Sequence, residues 1–302
     1  MARTTKAQVD VYQQVTDAVI TALEQGKIMW RKPWKGAGLP VSLSTGKAYR
    51  GVNTLLLWVQ GYSSSYWGTY KSIQDKGGQV RAKESGTTVV FWKFLRKTEK
   101  DPKDPSKTKT VTIPLLRTFK VFNSEQADWK DGKSPVEKET PTLDFQPQEE
   151  AEKLVQGYLS NQETLKFQEK GSRAFYRPSE DLVNMPQRVT FDGVEEGYST
   201  LFHELVHSTG SQGRLKREGI VENHFFGDVT YSREELIAEM GATFLCAMAG
   251  LDSPQRFQNS AAYIQGWLEA IKGDKKLVVT AAGRAQKAVD YILGNFPSEG
   301  EG

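Results

Sequence analysis

With 302 residues, a formal charge of +3 and a single cysteine, Cys246, the chain excludes a secreted domain stapled by internal disulfides. No uninterrupted apolar stretch is long enough to cross a bilayer, and MARTTKAQVD lacks the apolar run of a secretory signal, so a cytoplasmic protein without a membrane partner is expected. The small total charge hides an asymmetry: residues 1–133 hold 23 Lys and Arg against 11 Asp and Glu, while residues 134–302 hold 17 against 26, which excludes an acidic DNA mimic for the first part.

The length exceeds that of the usual single domain, so two modules are expected; the sequence leaves the oligomeric state open, with a monomer favoured. The first opens with a helix, because Tyr12, Val15, Val19, Ala22 and Leu23 recur at helical spacing and Gly26 closes the run. GKIMWRKPWKGAGLPVSLSTGKAYRGVNTLLLW then interleaves cations and flat rings: Lys27, Trp30, Arg31, Lys32, Trp34, Lys35, Lys47, Tyr49 and Arg50. SYWGTYKSIQDKGGQVRAKESG continues the pattern with Trp67, Tyr70, Lys71, Lys76, Arg81 and Lys83. Cations that follow phosphates, alternating with rings that stack on unpaired bases, are the means by which single-stranded DNA is held. The plainer alternative is buried tryptophans and solvated lysines.

Strands are expected at TTVVFWKF (87–94) and LLRTFKVF (115–122), from their β-branched and aromatic content, with KTEKDPKDPSKTKT between them as a charged loop. The stretch from Asn123 to Glu150 is rich in Pro, charge and small polar residues. It divides the chain into a DNA-binding domain over 1–135, a linker over 136–148 and a second domain over 149–302. This second domain reads as mainly helical, with helices near 149–169, 196–209, 233–249, 260–272 and 280–294 and one short strand, RVTF (188–191). The fold class is therefore α+β.

Only three histidines occur in the chain, and two of them stand four apart around a glutamate in LFHELVHSTG. Apolar flanks (Leu201, Phe202, Leu205, Val206) make this a largely buried helix, so His203 and His207 share one face and need a common partner, which a metal ion provides. A third ligand is required. His224 is one candidate; Glu235 in SREELIAEMGATF is a better one, although Ser232 and Glu235 could instead form only a capping box. Glu239, one turn on from Glu235, would accept a hydrogen bond from the far nitrogen of a ligand histidine, and whether Glu235 or Glu239 is the ligand stays open. Glu204 would take a proton from water made acidic by the ion, and Tyr231 is a candidate for stabilising an oxyanion. One divalent ion is expected, zinc foremost, with manganese as an alternative.

HELVHSTG, FGDVTYSREELIAEMGATFLC and AAYIQGWLEAIKGDKKLVVTAAGRAQKAVDYI together resemble the zincin-like metallopeptidase domain of the ArdC antirestriction family, of gluzincin pattern. QVTDAVITALEQGKIMWRKPW, STGKAYRGVNTLLLW, YWGTYKSIQDKGGQVRAKESGTTVVFWK and FKVFNSEQAD resemble the N-terminal domain of the same family. One departure is that VSLSTGK follows GLP where an Asn is expected, leaving Ser42 or Ser44 in its role. The resemblance implies single-stranded DNA binding, a metal held by the paired histidines and a glutamate, and protection of DNA entering on a conjugative plasmid from host restriction. A host protein, or the chain itself, would be the peptidase substrate. Two other readings remain: a single-stranded DNA-binding protein whose metal site is structural or idle, and a nuclease, which one HExxH site suits poorly.

Overall fold

The structure, a computed structural model, describes residues 10–25, 38–101, 104–130, 147–191, 193–222, 229–251 and 261–295, with the side chains of 92–101, 104–116, 147, 189, 229, 231 and 261–265 left out. Its elements run in the order α1 (Val11–Glu24), β1 (Val41–Ser42), α2 (Val52–Trp58), β2 (Tyr66–Gly68), α3 (Tyr70–Asp75), β3 (Gly78–Val80), β4 (Thr87–Asp101), β5 (Asp104–Asn123) and β6 (Ala127–Trp129). After the segment read as a linker come α4 (Pro147–Ser160), β7 (Lys166–Glu169), β8 (Phe175–Arg177), β9 (Leu182–Met185), α5 (Val194–Ser208), α6 (Glu218–Val221), α7 (Val229–Met248), α8 (Ala261–Gly273) and α9 (Leu277–Ile292). The protein is α+β, as its sequence predicts.

Asp10 caps α1 by accepting from the Gln13 amide at 3.2 Å, and the helix buries Val15, Val19, Ala22 and Leu23. These residues pack on the far end of the chain. Thr16 donates to the Lys275 carbonyl at 2.7 Å, Lys275 pairs with Asp10 at 2.6 Å, and Lys272 pairs with Glu24 at 2.9 Å. At the start of α2, Arg50 pairs with Asp290 of α9, and the Gly51 amide donates to Gln286 at 3.1 Å. One hydrophobic core therefore runs across the boundary expected near residue 135. It joins Val15, Leu55, Trp58 and Val90 to Phe202, Leu205, Phe244 and Val289. Trp58 and Phe244 are in ring contact at 6.1 Å. Two smaller clusters, around Ile73 and around Trp67, fill the rest of the first half.

Three local expectations are overturned by the presence or absence of a tertiary partner. The charged segment 97–110 is taken into a hairpin whose ladder runs from Thr87↔Val121 to Asp101↔Asp104. Its threonines suit a strand, and the register sets Glu99 opposite Lys109. The helix expected over 149–169 ends at Ser160, because Lys166–Glu169 finds a parallel partner in Leu182–Met185. RVTF has no strand beside it among the described residues and folds into a 3-10 turn over Arg188–Thr190, where the Thr190 amide and hydroxyl both return to the Gln187 carbonyl, at 2.9 and 2.7 Å.

The site depends on how closely α7 approaches α5. A Cβ built at Gly241 would lie 2.8 Å from Cγ2 of Val206, so only glycine permits this approach without displacement. In Gly241→Ala, helix propensity gains about 1 kcal/mol. Against that gain, Val206 is β-branched and stiff, and overpacking costs about 1–3 kcal/mol. The clash should win, lowering the melting temperature by a few degrees, ~2–4 °C per kcal/mol lost. Adding Val206→Ala should cancel the steric part, which calorimetry of the single and double variants checks.

Candidate metal centre

Helix α5 opens with Glu195 and Glu196 in its first turn, where carboxylates are favoured, and carries the two histidines near its other end. His203 and His207 are 5% and 8% exposed, and their Nε2 atoms lie 3.0 Å apart. Glu235 reaches in from α7: its Oε2 is 3.5 Å from His203 Nε2, and its Oε1 is 3.5 Å from His207 Nε2. Tetrahedral ligands at ~2.0–2.1 Å from an ion stand ~3.3 Å from one another, a value these separations bracket. At 3.0 Å the two Nε2 atoms are close enough to share a proton or, as two lone-pair donors, an ion, and with Glu235 beside them the donor set fits a divalent ion. Ser232 lies inside α7 and is no cap, which removes the capping box as the explanation for Glu235.

His207 is held from behind. Its Nδ1 lies 3.2 Å from Oε1 of Glu234, and the Arg217 guanidinium donates to the same carboxylate at 2.9 and 2.7 Å. Arg217 also donates to the Val206 carbonyl and the Thr209 hydroxyl, both at 2.7 Å, so one buried cation closes the end of α5 and fixes Glu234. The carboxylate behind His207 is therefore Glu234, a residue to which sequence spacing gave no role. Adjacent helical residues diverge by about 100°, so Glu235 meets the inner edge of the imidazole while Glu234 meets its outer edge. Glu239 is buried one turn further along α7. The doublet Glu234–Glu235 was visible in the sequence, but its partner Arg217 was not, because it stands 17 positions away.

The field at the site is negative. Burial pushes the Glu235 carboxyl upward, but His207 and His203 outweigh it and hold that carboxyl far below the usual range. Burial likewise works against a charged His207, yet Glu235 and Glu234 prevail and raise it to about 10. Both directions describe a pocket built to hold positive charge.

Glu204, 8% exposed, stands beside the histidines on a cleft of about 840 Å³. Phe175 and Tyr176 of β8 line the same cleft, and β8 is an edge of the sheet β7-β9-β8. Tyr176 donates to Asp181 at 2.8 Å; Arg214 pairs with Asp181 and donates to the Ser208 carbonyl at 2.7 Å, tying this edge to the end of α5. His224 and the side chain of Tyr231 lie outside the described residues.

Among the residues expected to bind DNA, Lys27, Trp30, Arg31, Lys32, Trp34 and Lys35 also lie outside the described residues. Lys47, Lys71 and Lys83 are exposed. Tyr49 is half-buried, and Arg81 pairs with Glu84 at 2.9 Å. Trp67 does not present a face for a base: it is 2% exposed and packed edge-on against Tyr62 at 5.5 Å, because strand alternation turns it into the core. No helix among the described residues is long and apolar enough to cross a membrane.

Two family models match the chain: the N-terminal domain of anti-restriction factor ArdC over residues 9–122, and a zincin-like metallopeptidase over 149–284. The uncharacterized protein y4eC of Sinorhizobium fredii (strain NBRC 101917 / NGR234) is 34% identical over 300 residues, covering 96% of this chain and 94% of that one. DNA primase TraC of Escherichia coli is 34% identical over 301 residues, which span 93% of this chain but 27% of TraC. The metal-free crystal structure of the antirestriction ArdC protein from plasmid R388 superposes with a TM-score of 0.75 at 38% identity, covering 95% of this chain and 98% of that one. Its Mn(II)-bound structure gives 0.71.

Proposed function

Because the chain belongs to the ArdC antirestriction family, we propose that it protects plasmid DNA entering a cell as a single strand from host restriction, working in the cytoplasm with two activities. In this reading the basic half holds the strand and the second half hydrolyses a peptide bond in a host protein. The observation that carries the peptidase is the meeting of His203, His207 and Glu235 beside Glu204, in a cleft walled by an edge strand.

His203, His207 and Glu235 would hold the ion, and two imidazoles with one carboxylate suit zinc well. When bound, a divalent ion supplies Lewis acidity, polarising a peptide carbonyl and making water acidic enough to attack near neutral pH. Glu204 takes a proton from the attacking water and passes it to the departing amine nitrogen, so the carbonyl carbon gains an oxygen as the C–N bond breaks. Glu234, pinned by Arg217, keeps the Nδ1 edge of His207 occupied so that Nε2 faces the ion. The backbone of β8 offers an extended peptide a row of hydrogen-bonding groups along the cleft.

A second reading, protection by DNA occupancy alone with a structural ion, is favoured by one feature: α5 and α7, which the ion would join, run through the core shared by both halves. The two readings separate in a paired measurement on wild type and Glu204→Ala. Metal content is read by mass spectrometry, and survival of transferred plasmid is read in restricting cells. A variant that keeps its metal and loses protection supports the peptidase. One that keeps both sinks it, leaving the ion a structural part.

A further inference from the structure

In the β4–β5 ladder Phe91 faces Arg117 and Val89 faces Phe119, so strand alternation puts Val89, Phe91, Arg117, Phe119 and Val121 on one face. The inner end of this face is core: Val89 and Val121 are 0% and 2% exposed, packed with Leu57 and Trp67. The outer end is open. Phe91 and Phe119 are 44% and 45% exposed, with their rings edge-to-face at 5.4 Å, and Tyr49 tilts against Phe91 at 6.5 Å. Cations border the rings on both sides. Arg117 sits directly across from Phe91 and is exposed, while Lys47 and Arg50 flank Tyr49 on its loop. Arg50 pairs with Asp290 yet keeps 61% of its side chain in solvent. No carboxylate belongs to the face from Thr87 to Phe91 or its partners from Arg117 to Val121.

We infer that the Phe91–Phe119–Tyr49 face is where single-stranded DNA stacks its bases, with Arg117, Lys47 and Arg50 taking the phosphates. This rests on the reading that the basic half holds single-stranded DNA, and it assigns that role to a surface. Buried Trp67 cannot stack on a base, whereas two adjacent exposed rings can, and only an unpaired strand offers base faces to them. The neighbouring cations match a polyanion better than an apolar protein surface, and a second copy of this chain would bring the same positive charge against itself.

The test is fluorescence anisotropy of the full chain with a fluorescein-labelled oligo-dT of about 16 nucleotides. Phe91→Leu and Phe119→Leu keep an apolar side chain but remove the flat ring, and each should weaken binding about tenfold with the salt dependence unchanged. Phe91→Trp should bind at least as tightly as wild type. Arg117→Gln should reduce the slope of affinity against salt by about one. Wild-type binding with both leucine variants at wild-type affinity overturns this surface and leaves single-stranded DNA binding standing. A wild type that does not bind the oligonucleotide removes that reading and this surface with it. A wild-type dimer that Phe119→Leu dissociates, with oligonucleotide affinity unchanged, gives the face to a second copy and also overturns the assignment.

Discussion

Arg217→Ala should destabilise the fold by about 3–5 kcal/mol, a large part of the ~5–15 kcal/mol that separates folded from unfolded chains. The guanidinium and its Glu234 partner are both buried, at 5% and 4% side-chain exposure, and truncation leaves a buried carboxylate with His207 alone against it. It also strips the Val206 carbonyl and Thr209 hydroxyl of a donor at the end of α5. Lysine should rescue little, because a point charge cannot serve the Glu234 carboxylate, a carbonyl and a hydroxyl at once. Adding Glu234→Gln to Arg217→Ala should recover part of the loss by removing the stranded charge. Urea unfolding of the metal-free protein measures all three. A loss under about 1 kcal/mol, the range of an exposed pair, would mean that this buried cluster does not hold the helix end.

Glu235→Gln should weaken divalent-metal affinity more than any other single change among the three glutamates of this helix. Removing a partner behind a ligand costs about 10–100-fold, which is the expectation for Glu234→Gln. Loss of a ligand carboxylate, set 3.5 Å from both imidazoles, should exceed that range. Glu239→Gln should change less than Glu235→Gln, because Glu235 and not Glu239 stands 3.5 Å from both imidazoles. Competition with a fluorescent chelator gives the three affinities in one experiment. If Glu239→Gln proved the most damaging, the third ligand would move one turn along α7.

The histidine pair and Glu204 were legible because their relation is local. A spacing of four on an apolar helix puts both imidazoles on one face whatever surrounds them, and rarity of histidine makes the pattern stand out. Helix α1 was legible for the same reason, its buried residues being the ones its periodicity marks. Its packing partners were not. Thr16 and Asp10 meet Lys275 across more than 250 positions, and nothing in the local pattern says that the first helix completes the core of the last ones.

The misreadings share one cause. Charge and proline in the 97–110 segment suggested a loop, but strand formation is settled by a partner, and the opposite arm of the hairpin supplies one. RVTF carries the β-branched residues of a strand and lacks a neighbour, so its polar groups close locally instead. Composition marked Trp67 as a base-stacking ring. Its parity on β2 turns it inward, while Phe91 and Phe119, unremarkable in the chain, share the face of buried Val89 and Val121 but lie at its open end.

Residue type and short spacing were thus enough for the α+β class, the family resemblance, the two histidines and the general acid–base candidate between them. Which glutamate meets both imidazoles, which one backs His207, and which rings meet solvent depended on how α7 crosses α5 and how β4 pairs with β5. Contacts within one helical turn follow from backbone geometry. Those between distant segments follow from the burial of the whole core, to which every part of the chain contributes.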